Sequence, residues 1–147
     1  MNNIFYTNNL VVLKHHCDRN NHMNIAYYLS FYSDSTFLLL NEIGLNKDCI
    51  ENNSVSAVVS RIYTAHNNEL FVDDEFLIES GIIDYDYTSI VLVHKIKFNT
   101  VLMSKCYMRV NFISSESREK VGVPRNLFDE CHKFFNKGLT NVFDNIL

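Results

Sequence analysis

The chain has 147 residues, enough for one domain with a proper hydrophobic core and no covalent staples. A composition of 47% hydrophobic and 20% charged residues, with four Gly and one Pro, excludes long linkers and disorder. The formal charge of −4, with no basic run or stripe, argues against nucleic acid as a partner, while scattered Lys and Arg still suit a small anionic ligand.

Met1 to Tyr6 carry neither the basic region nor the apolar core of a secretory leader. The longest apolar run, Phe37-Leu38-Leu39-Leu40, falls far short of the roughly 18 residues of a membrane span. Cys17, Cys49, Cys106 and Cys131 form no C-x-x-C pair and read as reduced thiols. A cytoplasmic protein without a membrane span is expected. Asn is abundant, but it is interleaved with apolar residues rather than gathered into a low-complexity tract.

In chain order, residues 10–16 read as a short apolar first strand. The stretch from His15 to Asn24 follows, where polar and ionisable residues are denser than anywhere else. A helix from about Asn24 to Ile43 comes next, with Ile25, Tyr28, Leu29, Tyr32, Thr36, Leu39, Leu40 and Ile43 at three- and four-residue spacing. Phe31, Phe37 and Leu38 widen that stripe until the helix is apolar nearly all round, which predicts that it is wrapped. Asn24, or else Asn21, is its candidate N-cap and Gly44 its stop.

Val55 to Thr64 is rich in β-branched residues and reads as a strand. Breaks at Asn67-Asn68 and Asp73-Asp74 lead to a strand over Glu75 to Ile83. The turn formers of 84–87 precede a strand from Ser89 to Phe98, with Ile90, Leu92, His94 and Ile96 on one face. Asn99-Thr100 is short enough for a hairpin turn before a long strand, Val101 to Ser114. Pro124 closes the β region, and Asn126 is the candidate cap of a final helix with Leu127, Cys131, Phe134 and Phe135 on its apolar face. A strand, a long helix, a run of four strands and a terminal helix imply an α+β fold with a mostly antiparallel sheet. Curving that sheet around the helix buries both.

Asp18 is the first candidate for chemistry. Between a strand and a helix N-terminus, a carboxylate can act as general base or nucleophile, with free helix N–H groups to receive an oxyanion. The same residue can equally be a turn or capping Asp. His22 and Asn24 could polarise a carbonyl or orient the Asp, or be a surface His and the N-cap. Tyr27 and Tyr28, at the start of the helix, suit either a pocket wall or the core. His15, His16, Cys17 and His22 could form a metal cluster. Strand alternation separates His16 from His15 and Cys17, however, and no downstream ligand pair has metal-like spacing, so no metal is expected. Nothing local lowers the pKa of Cys17. His94, between Leu92 and Ile96, reads as a satisfied core histidine.

Asp18-x-x-x-His22-Met23-Asn24-x-Ala26-x-Tyr28, leading into a long apolar helix that ends at Gly44, resembles the signature of hotdog-fold acyl-CoA thioesterases, and among them the 4-hydroxybenzoyl-CoA thioesterase-like branch. The resemblance covers nearly the whole chain as a single hotdog domain. Val72-Asp73-Asp74 stands where the family often has Gly-Asp, and Pro124 where many members have Pro after the last strand. It implies a curved antiparallel sheet around a central helix and hydrolysis of a small or medium acyl-CoA. Asp18 falls on the family's catalytic carboxylate, and His22, Asn24 and Tyr28 on positions lining the acyl and thioester pocket. No cofactor is implied, since the coenzyme A thioester is itself the substrate. Hotdog domains usually dimerise with continuous sheets and complete each other's sites, so a homodimer or homotetramer is expected. Arg61, Lys95, Lys97, Lys105 and Arg109 are candidate partners for the coenzyme A phosphates.

The chain departs from the pattern in three places. His16 stands at the earlier acidic position, Asn21 replaces the Gly before the His but tolerates positive φ, and Ile25 replaces the second Asn of the common pair. A narrower likeness, Ile83-Asp84-Tyr85-Asp86 followed by Ser89 to His94, resembles thioesterases of quaternary-ammonium acyl-CoAs such as betainyl-CoA. Two other functions suit the same fold. One is a hotdog enoyl-CoA hydratase or dehydratase using His22 and Asp34; the other is a module that binds acyl-CoA without turning it over.

Overall fold

The computed structural model describes residues 3–142 of the chain. Strand β1, Phe5–Val11, leads through a 3-10 turn at Lys14–His16 into helix α1, Ile25–Glu42. A short helix α2, Lys47–Asn53, precedes the long strands β2, Val55–His66, β3, Glu75–Tyr85, β4, Ser89–Phe98, and β5, Val101–Ser114. A two-residue β6, Lys120–Val121, helix α3, Arg125–Glu130, and 3-10 turns at Cys131–Phe134 and Lys137–Val142 complete the described chain. The sheet is antiparallel throughout, in the order β1-β3-β4-β5-β2, with β6 beside the end of β5.

One face of this sheet packs on α1. Ile90, Leu92, His94 and Ile96 of β4 are fully buried, as are Cys106, Val110 and Phe112 of β5. The apolar ones join Tyr28, Tyr32, Leu39 and Leu40 of α1 in one cluster, and His94 meets Thr36 of the same helix by a hydrogen bond. This is the hotdog arrangement, a sheet curled on a helix. On the opposite face a smaller cluster joins Ile83, Val91, Val93 and Tyr107 to Leu139. Leu139 reaches it because Gly81 carries no side chain there. A Cβ at that position would stand 2.6 Å from the Leu139 Cδ1.

Local signals account for the element ends. Asn24 caps α1, its Oδ1 accepting the Ala26 N–H at 2.9 Å. Gly44 ends the helix at φ +121°, a value that favours Gly. At the β4–β5 hairpin Asn99 and Thr100 both have positive φ, 49° and 69°, which matches the turn twist that right-handed strands prefer.

Three expectations need correction, and one helix was not foreseen. The first strand ends at Val11 rather than residue 16, because the Leu13 N–H turns to donate to His16 Nδ1 at 2.9 Å and the backbone winds into a 3-10 turn. Helix α2 had no apolar stripe to betray it; it is started by the Asn46 side chain, which accepts the Cys49 N–H. Pro124, not Asn126, precedes α3, and it makes no side-chain cap. Helix α1 is wrapped on one side only: Ile25 and Leu38 are each 49% exposed, and Leu29 and Phe37 are open beside them. Among the described residues no helix is long and apolar enough to cross a membrane.

Candidate active site

Residues 17–24 form a tight reversal that the rest of the fold holds in place. The Asp18 N–H donates to the His22 carbonyl at 3.1 Å and the Asn21 N–H to the Asp18 carbonyl at 3.0 Å. The Asn20 N–H closes the turn onto Asp18 Oδ1 at 2.9 Å. Asn21 takes φ 64°, so the residue in place of Gly keeps the left-handed turn. The Met23 N–H donates to the Leu70 carbonyl at 2.8 Å, and His22 bridges Phe71. This clamps the reversal to the segment that follows β2.

Between those two segments and the start of α1 lies a cleft of about 430 Å³, lined by His22, Met23, Ile25, Tyr28, His66, Asn67, Asn68 and Glu69. His22 Nδ1 stands 3.4 Å from Asp18 Oδ2, and His22 Nε2 is 4.0 Å from Glu69 Oε1. The Asp18 carboxylate therefore faces the cleft across the His22 imidazole. An Asp, a His and an open cleft in that order are the elements of base catalysis, with the carboxylate orienting the ring that takes the proton. Hydrogen bonds of this kind are often long before substrate binds.

The candidates separate by position. His22 and Tyr28 line the cleft, Asp18 backs His22, and Asn24 spends its side-chain oxygen on the Ala26 N–H. Within the first turn of α1, the Tyr27 N–H returns to the Asn24 carbonyl, which leaves the Ile25 N–H without a partner among the described residues. The expected set of free helix donors is thus one N–H at the cleft edge. Tyr28 is 5% exposed and stands edge-on to His66, ring centroids 4.6 Å apart. Burial raises its phenol pKa, so the hydroxyl stays protonated in the wall of the cleft.

The neighbours of Asp18 do not join it in a second site. His15 to Cys17 lie on the 3-10 turn and its end rather than on a strand. The His16 ring packs against Tyr27 and Phe31, centroids 4.8 and 5.4 Å away, and burial holds its pKa low. The Cys17 thiol is pushed up by burial and by the Asp18 and Asp74 charges, the reverse of what a nucleophile needs. Among the described residues no three His, Cys, Asp or Glu side chains converge on a point. Asp34 lies ten residues past Asn24, about 15 Å along the helix axis, so it does not meet His22. Asp84 and Tyr85 end β3 rather than forming a turn, and pair with Val91 and Ile90 at the start of β4, whereas the cleft lies at the level where Ile96 of β4 pairs with Ser104; the 83–86 segment does not reach the cleft. His94 is buried between two hydroxyls, Ser80 Oγ at 2.6 Å and Thr36 Oγ1 at 2.7 Å, as the alternation predicts.

None of the five candidate cations lines this cleft. Lys97 pairs with Glu79 at 2.8 Å, and Arg109 bonds Ser89 and Tyr107. Lys105 stands closest in the ladder, one rung from the pair His66–Ser104. His66 itself escaped the sequence reading. Its signal was the alternation Ile62, Thr64, His66, which continues the helix-facing phase of β2 past the point where the strand was expected to end.

The sequence matches the model of the thioesterase-like superfamily over residues 12–131. Among solved structures, a hypothetical protein of Staphylococcus aureus in complex with CoA is 23% identical, with a TM-score of 0.84 over 90% of this chain and 84% of that one. A 1,4-dihydroxy-2-naphthoyl-CoA thioesterase from Synechocystis is 12% identical, with a TM-score of 0.77 over 88% of this chain and 96% of that one. Identities this low establish a shared fold. The comparison with curated proteins gives no match.

Proposed function

The chain belongs to the thioesterase-like superfamily, and from that premise we propose that it hydrolyses the thioester of a small or medium acyl-CoA. The observation that carries this reading is the Asp18–His22 pair, 3.4 Å apart, at the cleft between the start of α1 and the end of β2. In this reading the thioester lies in the cleft with its carbonyl carbon in reach of a water beside His22. The imidazole takes the proton as the water attacks, and Asp18 holds the ring and stabilises its charged form. The Ile25 N–H, at the positive end of α1, is one donor for the oxygen of the tetrahedral intermediate. The CoA complex of the structural neighbour supports a coenzyme A thioester as the ligand class.

The working unit in this reading is a symmetric oligomer. β2 is an edge strand, and Val58 and Ile62 on it are 37% and 40% exposed; Ile25 and Leu29 are open on the nearby helix. A long edge carrying exposed apolar residues is stable when paired. Sedimentation of the purified protein tests this, with Ile62→Lys expected to give monomers.

The activity is tested by following thiol release from a panel of acyl-CoAs that varies chain length and includes aryl acids. Hydrolysis of at least one member, lost in Asp18→Asn, supports the proposal. No hydrolysis, with calorimetric binding of a non-hydrolysable acyl-CoA, would instead assign the cleft to a binding module.

A further inference from the structure

A row of buried hydroxyls ends at the cleft. Tyr32 of α1 and Ser104 of β5 are both fully buried, and the Tyr32 hydroxyl donates to Ser104 Oγ at 2.5 Å. Ser104 Oγ is in turn 3.0 Å from His66 Nδ1. Proton counting decides the direction of this last bond. Each hydroxyl has one proton, and a buried one needs an acceptor. Among the described residues the Tyr32 hydroxyl has only Ser104 to donate to, so the Ser104 proton is free for His66 Nδ1. The bare nitrogen of the imidazole therefore faces the core, and the N–H is at Nε2, across the ring, on the side open to the cleft. Among the described residues Nε2 has no partner, although the ring is held edge-on by Tyr28 at 4.6 Å.

Resting on the thioesterase reading above, we propose that His66 is a further catalytic residue, whose Nε2–H donates to the carbonyl oxygen of the bound thioester and to the oxyanion that follows. Ser104 and Tyr32 are positioning residues that hold the tautomer. When water adds to the carbonyl carbon, the C=O π pair moves to oxygen, where His66 meets it. The water proton passes to His22 and on to the departing thiolate as the C–S bond breaks. His66 neither gains nor loses a proton. Protonating it would place an N–H against the Ser104 hydroxyl and force the whole row to reverse, stranding the Tyr32 proton. Burial also lowers its pKa, in keeping with a neutral donor. The arrangement suits an oxyanion donor, since it is oriented before the charge develops.

Three measurements test the proposal, and the first needs neither a variant nor turnover. The ¹⁵N shifts of the His66 ring in the wild-type protein should report a bare Nδ1 and a protonated Nε2 near neutral pH. The opposite tautomer overturns the proposal even if the enzyme is active. Second, with an acyl-CoA that the wild type hydrolyses, His66→Phe should lower kcat by roughly 10²- to 10³-fold, the cost of one oxyanion donor, with KM raised by no more than about tenfold, the cost of the bond to the bound carbonyl. His66→Gln keeps an N–H donor and should recover about a tenth of the activity. Activity of His66→Phe within threefold of wild type overturns the role of His66 and leaves the thioesterase reading standing. Third, if no acyl-CoA is hydrolysed, the thioesterase reading fails by itself, and binding still decides on His66. A ketone analogue that keeps the carbonyl should lose about tenfold in affinity in His66→Phe, and a thioether lacking the carbonyl should not. Equal losses overturn the proposal.

Discussion

Replacing Asp18 by Asn separates its two jobs, because only one of them needs a charge. As a turn residue, Asp18 accepts the Asn20 N–H through Oδ1 at 2.9 Å, and an amide oxygen can accept the same bond. As a partner of His22, it offers a second oxygen at 3.4 Å, with the two side chains 31% and 27% exposed. A pair this open contributes at most about 1 kcal/mol, so the melting temperature should fall by no more than about 3 °C. If the carboxylate works through His22 on the attacking water, kcat should fall by roughly 10²- to 10⁴-fold, or about 3 to 5 kcal/mol of barrier. The assay is thiol release from the best acyl-CoA of the panel, with a thermal melt on the same preparation. An Asp18→Asn protein that melts normally and hydrolyses within threefold of wild type would refute the catalytic assignment and leave Asp18 a turn former.

The other expected effects concern the frame around the cleft. Asn24→Ala removes the N-cap of α1 and should cost about 1 kcal/mol while kcat stays within a few-fold; a collapse of kcat at unchanged stability would return Asn24 to the site. Gly81→Val drives a branched side chain into Leu139, whose Cδ1 would be 2.6 Å from even a Cβ. Roughly 1–3 kcal/mol of overpacking should then appear as faster proteolysis at the 137–142 turn. Burial holds the His94 pKa down at about 3, against 6.5 for a free imidazole. Because the depressed value belongs to the folded state, stability is full above pH 6.5. It falls as pH drops towards 3, by about 1.4 kcal/mol per unit. Denaturant melts should show about half that slope between pH 7 and 6 and nearly all of it between pH 6 and 5, and His94→Gln should flatten it.

The regular elements were legible because each declared its period. The alternation in β4 put Ile90, Leu92, His94 and Ile96 on the helix side, and strand lengths in β4 and β5 followed from punctuation by Asn and Thr. The reversal at 15–24 was legible in content but not in shape. Its turn depends on the His16 side chain catching the Leu13 N–H, a contact with no periodic signature. Helix α2 escaped because seven largely polar residues have no apolar stripe. In the site, Asp18 and His22 stood out through their spacing to each other. His66 did not, because its partners Ser104 and Tyr28 lie 38 residues away in both directions and meet it only when β2 pairs with β5 and folds over α1. Local pattern reveals a side chain's face; it does not reveal which distant hydroxyl will orient its ring.

The polar groups beneath the cleft also bear on why α1 sits where it does. A purely apolar interface between helix and sheet would tolerate sliding or rotation of the helix with little loss. Here Thr36 and Tyr32, one turn apart, reach different strands. Thr36 Oγ1 meets His94 at 2.7 Å and the Tyr32 hydroxyl meets Ser104. All four side chains are fully buried, so a shift of one residue would leave several polar groups unpaired at about 1–3 kcal/mol each. The Thr36 hydroxyl donates to the Tyr32 carbonyl at 2.9 Å, so it accepts from His94, and Ser80 supplies the other ring nitrogen. Both histidines are thereby held in defined tautomers by hydroxyls, one in the core and one at the cleft. The row that locks the helix against the sheet is continuous with the bond that aims His66. A change that loosens the core at Tyr32 or Ser104 should therefore reach the cleft as a loss of orientation, before it is large enough to unfold the domain.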